Sequence, residues 1–119
     1  MKSVKINRDE LLQIVRDNKQ KHIQEYNEAV EDYIVLVEKI YQDNLKLAET
    51  KDLQQFEKIR HRPQAPTSYE DSYVRAIRML ELSTEEIIEV DSLTFNQLVL
   101  DEWQWKQQFT TLSSSYKTN

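Results

Sequence analysis

Residues 7–49 read NRDELLQIVRDNKQKHIQEYNEAVEDYIVLVEKIYQDNLKLAE, and from Arg8 no proline or glycine interrupts the chain until Pro63. Asn7 suits a helix N-cap, and Glu10 three residues on completes a capping-box pattern. The stretch therefore predicts one long helix to about residue 50, with a break near Glu49–Lys51. From Ile23 onward, apolar residues alternate at spacings of three and four: Ile23, Tyr26, Val30, Tyr33, Val37 and Ile40. This is the spacing of a self-association seam, although two heptads are fewer than a firm coiled coil shows. Continuing the register reaches Asn44 and Leu47, while Ile34, Tyr41 and Ala48 form a flanking row that widens the stripe towards bundle packing. Asn44 is either a register-fixing polar residue on the seam or a sign of fraying near a boundary. Both readings stay open.

The remainder of the chain is shorter in its periods. SVKI (3–6) has the composition of a short strand, and KDLQQFEKI (51–59) continues the helical region as a smaller piece. RHRPQAPTS (60–68) is the linker: it holds both prolines, which bias Arg62 and Ala65 away from helix. Thr67 and Glu70 repeat the capping-box spacing and open a helix through about Leu82, with Tyr73, Ile77 and either Leu80 or Met79 inward. EEIIEVD (85–91) reads as a second strand able to pair with SVKI. Asp91 or Ser92 then caps a final helix, and SSSYKTN (113–119) reads as a flexible tail. The expected fold is mainly α, or α+β if the two short segments form one two-stranded sheet. A long helical region (7–59), the linker (60–68) and a compact helix–strand–helix unit (69–112) make up a single domain.

Composition excludes several functions. The 119 residues contain no glycine and no cysteine. Phosphate-cradling loops, dinucleotide fingerprints and nucleophile elbows need the backbone freedom of glycine. Without cysteine there is no disulfide framework, thiolate metal site or cysteine nucleophile. The net charge is −5, which disfavours a general nucleic-acid binder. No stretch approaches the ~18 apolar residues of a membrane span, and MKSVKINRDE has no apolar signal core. A soluble cytoplasmic protein without membrane partners or cofactors is the expectation.

DEWQWKQQF (101–109) holds both tryptophans. On a continuous helix Trp103 would extend the Phe95–Val99 row and Trp105 the Leu98–Phe109 row, about 200° apart. Both are buried only if that helix is covered on two sides, so the pair reads as a packing and self-association device.

Four residue sets compete as candidate sites. Arg60, His61 and Arg62, with Arg75 and Arg78 on the following helix, would hold phosphates if the linker folds over that helix; Tyr69 or Tyr73 would then stack on a base. The bland alternative is a solvated charge run. His22 and Glu25 share a helix face, but two histidines without cysteine do not fill a zinc shell, so His22 reads as a solvent-facing residue and no metal is expected. The carboxylates Glu81, Glu85, Glu86, Glu89 and Asp91 read as a solvated face, and Ser113–Ser115 lie in a tail where no base is held in place. No catalytic residue is assigned, and the chain is not expected to be an enzyme. The tyrosines and tryptophans read as core or self-association surface, with a host-protein interface as the alternative.

PTSYEDSYVRAIRMLELS, then EIIEV, FNQLVLDEWQWKQQF and SSSY, resemble a family of small proteins common in tailed bacteriophages. The shared features fall on Pro66, Ser68, Tyr73, Ala76, Ile77, Met79, Leu80, Asp101, Trp103, Trp105, Phe109 and Tyr116, roughly the C-terminal half. Tyr69 stands where the family pattern tends to carry histidine, which argues against obligatory histidine chemistry there. The resemblance implies a phage accessory protein in the cytoplasm of an infected bacterium, acting in host takeover or counter-defence. Sequestration of a small nucleotide immune signal in an oligomer is the leading expectation. The alternatives are a protein–protein inhibitor of a host defence or metabolic enzyme, and a virion or assembly component.

Overall fold

The computed structural model describes residues 2–104. Its elements are β1 (Ser3–Asn7), α1 (Arg8–Glu49), α2 (Leu53–Phe56), α3 (Glu70–Leu82), β2 (Ile87–Asp91), α4 (Ser92–Thr94) and a π-helical turn over Phe95–Val99. The molecule measures 68 × 27 × 21 Å. At about 1.5 Å per residue α1 is about 63 Å long, so this one helix sets the length of the whole protein.

The start and end of α1 have local causes. The Asn7 side chain accepts from the backbone N–H groups of Asp9 and Glu10 at 3.0 and 3.1 Å, satisfying two of the donors that a helix start leaves open. At the other end Lys51 takes a left-handed backbone, φ 56°, the stop that glycine normally supplies. The first helical stretch thus ends where expected, and Asp52 caps the single turn of α2 by accepting from Gln54 N at 2.9 Å. The expected strand pair also forms. β1 and β2 run antiparallel, with Ser3 opposite Asp91, Val4 opposite Val90 and Asn7 opposite Ile87.

α3 returns antiparallel along the first half of α1. Tyr69 N lies at His22 and the Leu80 carbonyl at Arg8, which donates to it at 2.8 Å. A guanidinium at the carbonyl end of a helix complements both its open acceptors and its dipole. Thr67 does not cap α3: Ser68 Oγ accepts from Glu70 N at 3.3 Å, and the capping residue, Tyr69, makes no side-chain bond. Of the two alternatives for the inward position, Leu80 is buried and Met79 is 72% exposed.

The core gathers Leu11, Leu12, Val15 and Ala29 of α1 with Tyr73, Leu80, Val90, Leu98 and Trp103. On α1 the buried row runs Val15, His22, Ala29 and Leu36, a strict seven-residue repeat. Tyr26 and Tyr33 pack against the same core and Ile40 is buried. The seam expected from sequence is therefore split. Tyr26, Tyr33 and Ile40 belong to the face covered by the chain itself, whereas Ile23, Val30 and Val37, one position on from His22, Ala29 and Leu36, are only half-buried. A shift of one residue is a rotation of about 100°, enough to move half the seam to a neighbouring face.

Candidate functional site

His22, expected to face solvent, is fully buried. It sits among three rings: Tyr73 at 5.2 Å, and Tyr69 and Trp103 each at 6.1 Å between centroids. Its Nε2 accepts the Tyr69 backbone N–H at 2.9 Å. That nitrogen carries no proton and is not open to a metal. The bond fixes where the linker ends and α3 begins. The signal in the sequence was the repeat itself, since His22 falls seven residues after Val15 and seven before Ala29.

Tyr73 stands at the centre of this cluster with no exposed surface. Its hydroxyl donates to the Asp101 carboxylate and accepts from Trp103 Nε1–H, and the Gln97 carbonyl lies 3.3 Å away. Burial first, and then the bond to Asp101, raise its phenol well above the ordinary value near 10. A phenol held neutral and closed off from solvent neither attacks nor removes a proton at neutral pH. The cluster works as a lock that joins α1, α3 and the end of the π turn. Tyr69 stacks on Trp103 at 4.1 Å and 7°, so one face of its ring is already occupied. Neither tyrosine is placed as sequence reasoning placed it, on an open base-stacking surface.

Asp101 was not singled out from sequence as a functional residue, yet it ends the π-helical turn. Its backbone is left-handed, φ 57°, and it is 7% exposed. Leu100 N bonds to Phe95 O and Glu102 N to Asn96 O, at 2.9 and 2.8 Å, closing a wide final turn. Asn18 of α1 donates to the Leu98 and Val99 carbonyls at 2.9 and 2.7 Å, satisfying acceptors that the turn leaves open. Asp and Asn tolerate this conformation better than bulkier residues, and the Tyr73 bond holds the carboxylate in place. The helix expected to run through Trp103 therefore stops short of it. Trp103 is buried at 5% exposure, but from the segment after the turn, not from the Phe95–Val99 row. Trp105 lies outside the described residues.

The basic residues do not converge within one chain. Asn44 holds the linker through a paired contact, accepting from Arg60 N at 2.9 Å and donating to Arg60 O at 2.8 Å. Tyr33 donates to the Pro63 carbonyl at 3.1 Å. The linker thus runs back along α1 from the level of Asn44 to that of His22, about 33 Å at ~1.5 Å per residue. Arg60, His61 and Arg62 are exposed near the far end. Arg75 and Arg78 are exposed on α3, beyond His22 towards Arg8. Measured along α1, even the nearest members, Arg62 and Arg75, are about 25 Å apart at ~1.5 Å per residue, too far for one phosphate to bridge. Asn44 is not frayed: it continues the Ile23–Val30–Val37 row and clamps the linker.

An open apolar cleft of about 410 Å³ lies between α3, β2 and the π turn. Leu11, Val15, Ala76, Leu80, Val90 and Leu98 contribute to its floor, and Arg75, Glu89 and Asp91 add charge to its lining. Asp91 accepts from Thr94 N at 2.8 Å, and this backbone bond keeps its carboxyl below the usual range. Two carboxylates against one guanidinium make the rim net acidic. Among the described residues no group of three or more His, Asp or Glu side chains is placed to hold a metal, and no helix is long and apolar enough to cross a membrane. No family model, curated protein or solved structure matches the chain.

Proposed function

We propose that this chain is a non-enzymatic binding protein that holds an amphipathic, basic-flanked segment of another protein in the α3–β2 cleft. The supporting observation is the cleft's chemistry: a continuous apolar floor, with Glu89 and Asp91 outweighing Arg75 in its lining. Protein segments with an apolar ridge dock into such grooves, and the flanking charge sets which ones. The resemblance to tailed-phage proteins supplies the setting, so the partner is a host defence or metabolic enzyme and the place of action is the cytoplasm of the infected bacterium.

The rival is sequestration of a small nucleotide signal by Arg60, His61, Arg62, Arg75 and Arg78. It now requires that the linker of one copy meet α3 of another, because a single chain keeps the two sets apart. A panel of amphipathic peptides and nucleotides separates these readings. Leucine/lysine peptides are expected to bind, leucine/glutamate peptides not to, and Met79→Lys at the cleft edge to weaken the former at least fivefold. Thermal stabilisation by a nucleotide, lost in Arg60→Ala plus Arg62→Ala, would replace the cleft with the rival site. Presence of the chain in purified virions would favour an assembly role instead.

A further inference from the structure

α1 carries two apolar faces, and among the described residues the chain fully covers only one. The second, about 90° round the helix from the buried row, consists of Ile23, Val30, Ile34, Val37, Tyr41 and Ala48. Ile34 is 60% exposed and Tyr41 55% exposed. With Asn27 included, the spacing is four, three, four, three, four and seven, from Ile23 to Ala48. This is a heptad seam sustained over about 38 Å.

We propose that this outer seam pairs with the same seam of a second copy, in parallel and in register. Charge selects the occupant and its direction. Along one flank of the seam run Gln20, Gln24, Glu31, Glu38, Gln42 and Glu49, with no cation among them. On the other flank the Asn44 clamp and the Tyr33–Pro63 bond hold the linker, which brings the cations of Lys58, Arg60 and Arg62 to the far half of α1. In a parallel pair each helix sets its acidic flank against the partner's linker flank, at the same level along the axis. Glu38 of each copy then faces the Arg60–Arg62 region of the other. An antiparallel pair about a two-fold axis sets like flank against like, with glutamates opposing glutamates. Opposite charges on flanking positions decide partner orientation in coiled helices, and like charges oppose it.

Asn27 adds a second argument. It falls in the a-type positions with Ile34, Tyr41 and Ala48, where a single asparagine specifies register. In the parallel pair each Asn27 meets its own counterpart. In the antiparallel pair it faces Asn44 at the other end of the seam, whose side-chain amide is already engaged at both atoms by the Arg60 backbone. The pairing is independent of what the cleft holds, because α3 and β2 lie towards the opposite end of α1.

The absence of cysteine from the chain makes the test direct. Ile34→Cys and Tyr41→Cys replace exposed residues, so folding is expected to survive both. The full-length protein should sediment at twice 14.3 kDa. On mild oxidation each single-cysteine variant should link to itself, whereas Met79→Cys on α3 should not. Glu31→Lys plus Glu38→Lys should weaken pairing at least tenfold at low salt, with far-UV circular dichroism unchanged. A monomeric mass at micromolar concentration would overturn the proposal. So would a dimer in which Tyr41→Cys fails to link to itself while Ile23→Cys links to Ala48→Cys in a mixture. A trimer or tetramer would overturn it as well.

Discussion

Tyr73→Phe isolates the lock between the helices. The substitution keeps the ring and its packing and removes one oxygen. It takes the phenol donor from the buried Asp101 carboxylate and the acceptor from Trp103 Nε1–H. A hydrogen bond to a charged group contributes about 1.5–3 kcal/mol, and a buried donor left without its acceptor costs about 1 kcal/mol or more. The expected loss is therefore about 2–4 kcal/mol. At about 4 °C per kcal/mol for a chain of this size, Tm should fall by about 8–16 °C. Urea unfolding followed by far-UV circular dichroism reads the loss, since it reports on α1 and α3 and not on the tryptophans. Combining the change with Asp101→Ala should show a coupling of at least about 1 kcal/mol, as expected for groups in direct contact. A loss below about 0.5 kcal/mol with no coupling would refute the lock. It would mean that apolar packing of the four rings holds the cluster, with the hydroxyl incidental.

Three further outcomes follow from other parts of the molecule. Because the Tyr73 phenol is raised in the folded protein, its contribution is fully present below its unfolded value near 10 and fades as pH climbs above it. Stability should therefore fall more steeply from pH 10 upward in the unmodified chain than in Tyr73→Phe, by up to about 1.4 kcal/mol per pH unit; equal slopes would show that Tyr73 ionises as freely folded as unfolded. Lys51→Gly should stabilise the protein by about 0.5 kcal/mol, the relief of a left-handed lysine less the extra freedom of glycine when unfolded, and a thermal melt showing destabilisation would contradict that account of the helix stop. Asn18→Ala should cost about 2 kcal/mol by leaving the Leu98 and Val99 carbonyls without their side-chain donor, and hydrogen exchange should locate the loosening at residues 95–100, not along α1.

The long helix was legible because it depends on what is absent: no glycine or proline between Arg8 and Pro63, and a capping asparagine in front. The strand pair was legible from β-branched runs too short for helices. The face of α1 was not, because two candidate rows run side by side at the same seven-residue repeat: His22 beside Ile23, Ala29 beside Val30, Leu36 beside Val37. Sequence spacing favoured the more aliphatic row. The structure buries the row with the histidine, because only a side chain with an acceptor can hold the Tyr69 N–H where α3 begins.

The end of the π-helical turn shows a different limit. Nothing in DEW marks a stop when glycine is expected at helix ends. In a chain without glycine, the left-handed positions among the described residues fall to Asp101 and Lys51, one fixed by Tyr73 and the other exposed at a turn. The basic cluster was legible as a composition and misleading as a site. Its convergence depended on the direction of the linker, which is set by the Asn44 clamp more than 15 residues away in sequence.

Native mass spectrometry of the protein purified without added ligand tests the account most directly, because copy number and bound small molecules appear in one spectrum. The predicted result is a dimer at twice 14.3 kDa with no small-molecule adduct. A monomer, or an assembly carrying the added mass of a nucleotide, would contradict it.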